Sequence, residues 1–237
     1  MKIAIIGYGV MGKLVERLAL EKGNEIGAVI DEGDRNLFPG EVARKLAGCD
    51  VAIDFSHGMG VRRNVEACVL AKVPVVVGTT GWAEQLREVE AVVNDGGGAC
   101  VYGANFSIGV NLFYRIADFA AELFAKFPEY EPFIEEQHHS RKKDAPSGTA
   151  LKIEEIAEAA LERGSGEKVR VPVVSTRAGN IPGTHRLGFD GPADQISLEH
   201  MARSREGFAS GALLAAEWIV GRTGFFEFSA VLDREGK

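Results

Sequence analysis

The sequence predicts an α/β fold, in which a doubly wound parallel sheet is joined to a second domain of the α+β type. Short apolar runs rich in β-branched residues, without strict polar alternation, recur through the first hundred residues. Such runs are typical of strands buried on both faces of a parallel sheet. Between the runs, apolar residues recur three and four positions apart, as in the helices that cover such a sheet. The predicted strands are residues 2–7, 25–31, 50–56, 73–80 and 99–105, and the predicted helices are residues 12–23, 60–72 and 82–95.

The pattern changes after residue 105, and this change predicts the second domain. Long amphipathic segments here indicate helices, and the strand-like segments between them favour a mostly antiparallel sheet. Helices are expected at residues 111–127, 149–164 and 209–222, and extended segments at residues 129–139, 168–179, 184–191 and 194–202. The last helix is rich in alanine and is expected to pack on the first domain. We therefore expect one domain at residues 1–104 with 207–237, and the other at residues 105–206.

Length and composition indicate an ordinary folded protein with room for two domains. The chain has 237 residues, of which 46% are hydrophobic and 26% are charged, as in the average globular protein. Its net charge of −7 argues against a nucleic-acid binder, which needs a basic surface. No run approaches the roughly 20 apolar residues of a membrane span, and the first apolar run is too short for a signal peptide. We expect a cytoplasmic protein that binds small molecules, with no nucleic-acid and no membrane partner.

A glycine-rich turn follows the first predicted strand and precedes the first predicted helix. Its sequence, GYGVMG, has the G-x-G-x-x-G spacing of Rossmann-type dinucleotide sites. The glycines permit a tight turn and close approach of a pyrophosphate, whose charge the N–H groups at the helix N-terminus stabilise. A tight turn without a ligand is the alternative interpretation. The predicted cofactor-binding residues of this turn are Gly7, Tyr8, Gly9, Val10, Met11 and Gly12.

The end of the second strand bears on the choice of cofactor. Asp31 lies roughly twenty residues after the glycines, where an acidic side chain accepts hydrogen bonds from the adenosine ribose. Glu32 follows it, and two carboxylates would repel the 2′-phosphate of NADP(H). NAD(H) is therefore the expected cofactor. NADP(H) stays an alternative, since Lys13 and Arg35 are close enough in sequence to reach the same pocket.

Two further turns follow predicted strands, and in an open parallel sheet ligands bind outside the carboxyl ends of the strands. They are expected to line the nicotinamide half of the cofactor site, although either could be only a strand-ending turn. The predicted residues are Gly78, Thr79 and Thr80 in the first turn, and Gly103, Ala104, Asn105 and Phe106 in the second.

The stretch EEQHHSRKKDAPSGTA, residues 135–150, concentrates groups that can donate protons and hold anions. Histidine titrates near neutral pH, and a lysine among other cations has a lowered pKa. His138, His139, Lys142 and Lys143 are therefore candidate proton donors, and a solvated basic surface is the alternative. Ser147 or Thr149 can cap the following helix, while Gly148 lets backbone N–H groups turn toward an anion. The stretch predicts a carboxylate or phosphate site beside a proton donor.

Metal binding is not favoured by the cysteines or by the paired histidines. Cys49, Cys68 and Cys100 lie far apart and form no C-x-x-C pair, so we expect buried, small hydrophobic residues. His138 and His139 are adjacent, and on a strand adjacent side chains face opposite sides. No metal is therefore expected. The remaining histidines, which are His57, His185 and His200, are expected to be structural or peripheral.

The stretch also resembles the signature of the 4-hydroxy-tetrahydrodipicolinate reductase family, in which Glu-x-His-His is followed by a lysine and Asp-Ala-Pro-Ser-Gly-Thr-Ala. The resemblance extends along most of the chain. It includes the glycine turn, VAIDFS at residues 51–56, VVVGTTG at 75–81, GANFSIGVNL at 103–112 and STRAGNIPGTH at 175–185.

The resemblance implies a nicotinamide-dependent reductase of diaminopimelate and lysine biosynthesis that acts on a cyclic dicarboxylate. His138 matches the family's proton donor and acceptor, and Lys142 matches its proton donor. His139 matches a substrate-binding position, and Gly148 and Thr149 match the pair that holds a substrate carboxylate. Ser147 is expected beside them in the substrate site. The remaining charges of the stretch, Arg141 and Lys143, are expected to lie on the surface.

The resemblance also implies a homotetramer, built through the sheet of the second domain. The domain at residues 1–104 with 207–237 would bind the dinucleotide, and residues 105–206 would bind substrate and form the oligomer. Two other functions stay open from the sequence. One is a different Rossmann dehydrogenase of amino-acid metabolism, and the other is a non-catalytic redox sensor that binds NAD(H).

Overall fold

The computed structural model describes residues 1–233. They form two compact units: residues 1–108 with 206–233 (unit 1), and residues 109–205 (unit 2). The strands are β1 (Lys2–Ile6), β2 (Glu25–Ile30), β3 (Val51–Asp54), β4 (Val75–Val77), β5 (Ala99–Tyr102), β6 (Glu131–His138), β7 (Val173–Arg177), β8 (Thr184–Asp190), β9 (Gln195–Met201) and β10 (Gly224–Glu227). The helices are α1 (Val10–Glu21), α2 (Pro39–Leu46), α3 (Val61–Ala71), α4 (Leu86–Asp95), α5 (Ile108–Phe124), α6 (Gly148–Ser165), α7 (Glu206–Ile219) and α8 (Phe228–Leu232).

Unit 1 is built on a six-stranded sheet in which every neighbouring pair is parallel. The strand order is β10-β5-β4-β3-β1-β2, so the chain moves outward from β1 in both directions. Ligands of such sheets bind where the strand order reverses, at the carboxyl ends of the strands. The predicted doubly wound parallel sheet is confirmed.

Both faces of this sheet are buried, which explains why its strands are continuous apolar runs. One face packs against α2, α3 and α4, through residues such as Leu46, Val65 and Val89. The other face packs against α1 and α7, through residues such as Val15 and Leu213. All three cysteines are buried and unpaired, as expected.

Besides the five-residue helix α8, two elements of unit 1 lie outside the predicted ones. Helix α2 begins at Pro39, and strand β10 adds a sixth strand beside β5. Strand β10 has only four residues and follows Gly221, whose φ is +80°. Neither element is long enough to produce a clear period in the sequence.

Unit 2 contains a four-stranded sheet of order β7-β6-β8-β9. The pairs β6–β8 and β8–β9 are antiparallel, as predicted, whereas β6 and β7 are parallel. The parallel pair arises because α6 lies between these two strands in the chain. This helix returns the chain to the end of the sheet at which β6 begins, so β7 runs in the same direction. The sheet is therefore mixed.

One face of this second sheet changes along its length from apolar to polar. Ile134 and Leu187 are register partners in the apolar core with α5 and α6. Two residues further along β6, the same face carries Glu136, and its partner on β8 is His185. Both are buried. The strand alternation thus places ionisable groups inside unit 2 at one end of its sheet.

No helix within residues 1–233 is long and apolar enough to cross a membrane.

Candidate active site

Glu136 is a fully buried carboxylate with a cation on one oxygen and a histidine on the other. Arg177 Nη2 donates to Glu136 Oε1 at 2.6 Å, and His138 Nδ1 contacts Oε2. Its exposed fraction is 0%. Burial would raise the pKa of Glu136, but the interactions with Arg177, Ser175 and His138 outweigh burial and hold the pKa at about 2. Glu136 is therefore a carboxylate at neutral pH.

His138 is oriented by that carboxylate. Because an ionised carboxylate can only accept, the proton of this hydrogen bond belongs to His138 Nδ1. Burial lowers the pKa of His138, and the neighbouring Glu136 acts in the opposite direction. The second ring nitrogen, Nε2, faces Gly183, where an added Cβ would lie 3.0 Å away. The space in front of Nε2 thus exists because residue 183 has no side chain.

His185 lies in the same cluster, although the sequence analysis assigned it a structural or peripheral role. Its ring meets that of His138 edge-on, and its Nε2 is 3.1 Å from Ser147 Oγ. Burial, together with the proximity of His138, lowers the pKa of His185 to about 4. The ring is therefore neutral at pH 7. His185 lies in the cluster because it is the register partner of Glu136 on β8. A single sequence does not state which residues pair across a sheet.

Lys142 is joined to the same cluster through Asp144 and Arg177. Lys142 Nζ is 3.0 Å from Asp144 Oδ1, and Arg177 Nη2 donates to the Asp144 carbonyl at 2.6 Å. Lys142 is half-buried. By contrast, Lys143 and Arg141 are exposed, and Arg141 bonds Asn180. The structure thus brings Lys142 and His138 onto one hydrogen-bonded network.

The N-terminus of α6 lies at the end of the same loop. Ser147 caps the helix, since its Oγ accepts from Ala150 N at 3.2 Å. Gly148 is the first helical residue and is exposed, so its N–H lies at the positive end of an 18-residue helix. Thr149 follows and forms a hydrogen bond with Tyr114 on α5. This end of α6 is suited to hold an anion.

His139 lies immediately after β6 and is partly buried. Its Nδ1 is buried and has no hydrogen-bond partner in the part of the chain that is described. A buried ring nitrogen without a partner is available to a ligand.

Glu136, His138 and His185 each offer one atom that can bind a metal ion, within 4.8 Å of one another. These groups are already engaged by Arg177, by each other and by Ser147. A guanidinium on the carboxylate would repel a cation. The cluster is thus held together by its own contacts, and the absence of a metal stays a prediction.

In unit 1, the glycine turn has the shape that a dinucleotide requires. Gly7 has a φ of +86°, and a Cβ there would lie 2.5 Å from the Phe55 carbonyl. At Gly12 a Cβ would meet the Gly7 carbonyl at 2.1 Å, so both positions need glycine. The position of a Cβ at Gly9 is open, directly before α1. This opening at a helix N-terminus fits a pyrophosphate.

Asp31 is exposed beside that turn, and its Oδ1 accepts from Tyr8 N at 3.1 Å. The nearby Asp34 binds Lys45, and this pairing lowers the pKa of Asp34. Arg63 also lies close, with its guanidinium bound to the carbonyls of residues 34 and 35. Lys45 and Arg63 are thus engaged by this loop itself, and the exposed carboxylate of Asp31 remains at its edge.

The two other predicted turns contribute less through their side chains than expected. Thr79 is buried, and its Oγ1 donates to Asp54 Oδ1 at 2.7 Å and accepts from Ser56 N. Phe106 is buried in the core, with its ring 4.6 Å from that of Phe228. The buried side chains of Thr79 and Phe106 therefore stabilise the two turns. The exposed positions are Thr80 and Ala104.

Comparison with known proteins identifies the family. The family model described as "Dihydrodipicolinate reductase, N-terminus" matches residues 1–106, and the corresponding C-terminus model matches residues 109–232. A 4-hydroxy-tetrahydrodipicolinate reductase from Christiangramia forsetii is 35% identical over 244 residues, covering 98% of each chain. Another from Archaeoglobus fulgidus is 33% identical over 262 residues, covering 98% of this chain and 100% of that protein.

Solved structures agree in fold. A dihydrodipicolinate reductase from Paenisporosarcina sp. TG-14, with dipicolinate bound, matches with a TM-score of 0.79 at 24% identity, covering 96% of this chain and 97% of the other. A putative myo-inositol dehydrogenase from Sinorhizobium meliloti 1021 matches with a TM-score of 0.59 at 11% identity, covering 100% of this chain and 90% of the other. The two family models and the two relatives agree along nearly the full length, and the chain belongs to the dihydrodipicolinate reductase family.

Proposed function

We propose that this chain reduces 4-hydroxy-tetrahydrodipicolinate to tetrahydrodipicolinate with a nicotinamide cofactor, in diaminopimelate and lysine biosynthesis. Two relatives that share at least 33% identity over nearly the whole chain are 4-hydroxy-tetrahydrodipicolinate reductases. The observation that carries the proposal is the arrangement of unit 2. His138 ends strand β6, Lys142 lies in the loop that follows, and this loop leads into the N-terminus of α6.

The reaction consumes one hydride and one proton, and it releases one water. When bound, the reduced nicotinamide supplies the hydride that reaches C4 of the ring. The 4-hydroxyl group leaves with a proton, as water. A protein group must supply that proton, and His138 and Lys142 are the proposed donors. In its protonated form His138 keeps one proton on Nδ1, toward Glu136, and donates the other from Nε2.

The substrate carries two carboxylates, and unit 2 offers groups for them. The Gly148 N–H at the α6 N-terminus, with Ser147 and Thr149 beside it, is the proposed site of one carboxylate. His139, whose Nδ1 is buried without a partner among residues 1–233, is a proposed substrate contact. Because these groups favour negatively charged ligands, analogues of the substrate without its carboxylates should bind with lower affinity.

For the cofactor, we propose that Gly7–Gly12 holds the pyrophosphate and that Asp31 binds the adenosine ribose. Asp31 is exposed at the edge of the turn, and Glu32 beside it is exposed as well. Two carboxylates there favour the ribose hydroxyls of NADH over the 2′-phosphate of NADPH. The test is the ratio of kcat/KM for the two cofactors. A tenfold preference for NADPH would contradict the proposal.

The proposed cofactor contacts of the other turns are backbone groups and exposed side chains. They are Gly78, Thr80, Gly103, Ala104 and Asn105, with Thr79 and Phe106 contributing through the backbone. The buried side chains of Thr79 and Phe106 support this division.

We also propose a homotetramer, formed through the outer face of the unit 2 sheet. Val174 and Met201 lie on that face and are 61% and 56% exposed. Exposed apolar residues on a sheet face are typical of an oligomer interface. Light scattering coupled to gel filtration would give four chains, and a monomer at assay concentration would contradict this part. A cytoplasmic location belongs to the same proposal, since the named relatives are biosynthetic enzymes.

The experiment that tests the activity couples the protein to a synthase that produces the unstable substrate. NADH absorbance should fall only when the synthase and its substrates are present. A non-catalytic redox sensor would bind NADH without any such decrease. A different dehydrogenase of amino-acid metabolism would consume cofactor with another substrate and leave this one unchanged.

A further inference from the structure

We propose that Glu136 and Arg177 are positioning residues: Glu136 fixes the tautomer and orientation of His138, and Arg177 ties Glu136 to the loop that carries Lys142. This inference rests on the proposed function, because it assigns a purpose to His138 and Lys142. Neither Glu136 nor Arg177 belongs to the predicted site residues. Glu136 belongs to the Glu-x-His-His motif, but its contacts with His138 and Arg177 are seen only in the structure.

Glu136 is fully buried. A buried carboxylate costs several kcal/mol unless its oxygens are paired. Apolar residues occupy the same face of β6 and β8 at Ile134 and Leu187 and would suffice for packing at Glu136 as well. The carboxylate therefore serves something other than the core, and its contacts include His138 and Arg177.

Each of the two carboxylate oxygens of Glu136 contacts a different residue. Oε2 holds His138 Nδ1, so the ring presents Nε2 toward the space at Gly183. Oε1 holds Arg177, which is the register neighbour of His138 on β7. The same Arg177 nitrogen reaches the Asp144 carbonyl at 2.6 Å, and the Asp144 side chain pairs with Lys142. A continuous chain of contacts thus joins both proposed proton donors.

The charges around His138 act in opposite directions. Glu136 on β6 favours the imidazolium, whereas Arg177 on β7 and Lys142 in the loop disfavour it. His185 on β8 is neutral at pH 7 and packs edge-on. Glu136 is thus the group of this cluster that favours the protonated, proton-donating form of His138.

The substitution Glu136→Gln provides a sharp test because Arg177 has no acceptor. The guanidinium must face the amide oxygen, which turns the amide NH₂ toward His138 Nδ1. Nδ1 can then only accept, so the neutral ring must carry its proton on Nε2. An imidazolium would place two donors against each other. The variant should therefore switch the tautomer of His138 and disfavour its protonated form.

The matched control is Glu135→Gln, which removes the same charge one residue away. Glu135 lies on the opposite face of β6, where it pairs with Arg186. That face is the proposed tetramer interface, so this control is read on the tautomer of His138 and not on kcat. Arg177→Lys is a second variant, since a lysine can reach Glu136 but cannot also hold the Asp144 carbonyl. It keeps the inference testable if Glu136→Gln folds poorly.

The experiment measures the histidine ¹⁵N spectrum and the pH profile of kcat for the wild type and the three variants. In Glu136→Gln the neutral His138 should change from the Nδ1–H to the Nε2–H form. Its kcat should fall at least about 10-fold, with KM for NADH unchanged. The loss of kcat with rising pH should move to lower pH. Arg177→Lys should keep the Nδ1–H form and lower kcat, while Glu135→Gln should keep the wild-type tautomer of His138.

A Glu136→Gln protein with wild-type tautomer and wild-type pH profile would overturn the inference. So would equal effects of Glu135→Gln and Glu136→Gln on the tautomer of His138. The spectrum needs no turnover, so it separates this inference from the proposed function. If the wild type did not consume NADH but the tautomer still switched, the reaction assignment would fail and the positioning by Glu136 would stand.

Discussion

The ring of His185 meets the ring of His138 edge-on, with 5.1 Å between the centroids and 71° between the planes. Two protonated imidazoles at this separation would repel each other inside the protein. The arrangement therefore separates the roles of the two rings. His185 stays neutral and packs against Ser147, and His138 keeps the carboxylate that favours its proton.

The first prediction concerns stability at acidic pH. The pKa of His185 is lowered to about 4 in the folded protein, from 6.5, so the unfolded chain binds its proton first as pH falls. The contribution of neutral His185 to the free energy of unfolding is fully present above pH 6.5. As the pH falls from 6.5 to 4, this free energy should decrease by about 3 kcal/mol. Urea unfolding at pH 7.5 and pH 4.5 measures this loss. His185→Gln should reduce the loss, whereas the same change at the exposed His57 should leave it unchanged.

The second prediction compares the two adjacent lysines. Lys142→Ala should lower kcat by about 10²- to 10⁴-fold, the contribution of a general acid, with the Kd for NADH unchanged. Lys143→Ala is the control, because Lys143 is exposed and Lys142 pairs with Asp144. Steady-state kinetics and NADH titration measure the two effects. Near-normal kcat in Lys142→Ala would remove this residue from proton transfer.

The third prediction concerns the space in front of His138 Nε2. Gly183→Ala would place a methyl group 3.0 Å from that nitrogen, at a φ of +148°. We expect a lower kcat together with reduced stability. Gly179→Ala is the control, since its φ is also positive, at +49°, but its Cβ position is open. If both variants lost stability but kept the kcat of the wild type, the space at Gly183 would have no role in the reaction.

The fourth prediction tests the internal support of a cofactor turn. Thr79→Val removes two hydrogen bonds, to the buried Asp54 and from Ser56 N. Leaving these buried groups short of partners should cost about 1–3 kcal/mol of stability and weaken NADH binding. Thr176→Val is the control at an exposed strand position. Unchanged NADH affinity in Thr79→Val would show that the turn does not depend on Asp54.

The sequence was sufficient to predict the parallel sheet of unit 1, because buried parallel strands are continuous apolar runs such as KIAII in β1. It was also sufficient for the glycine turn, since Gly7 and Gly12 are required by backbone geometry that any such turn shares. The short elements β10 and α2 were missed because four and eight residues are too few to establish a period.

The candidate site was predicted where its residues are consecutive and missed where they meet across strands. His138, Lys142 and Ser147 lie within ten residues of sequence. In the structure, a chain of contacts joins Lys142 to His138, and Ser147 contacts His185, whose ring packs on that of His138. Arg177 and His185 join them only through the register of β6 with β7 and β8, whereas Glu136 lies on the same strand as His138, two residues before it. Register depends on which strands pair, and a single sequence does not state this. His185 therefore looked peripheral.

Transfer of deuterium from labelled NADH tests the central claim most directly. The protein would be given substrate made by a synthase, together with NADH that carries deuterium at both C4 positions of the nicotinamide, so that transfer from either face is labelled. Mass spectrometry should then detect tetrahydrodipicolinate with one deuterium at ring C4, accompanied by loss of the 4-hydroxyl group, and His138→Ala should form far less of it. Unlabelled product, or unchanged substrate although NADH is bound, would contradict the proposed reduction.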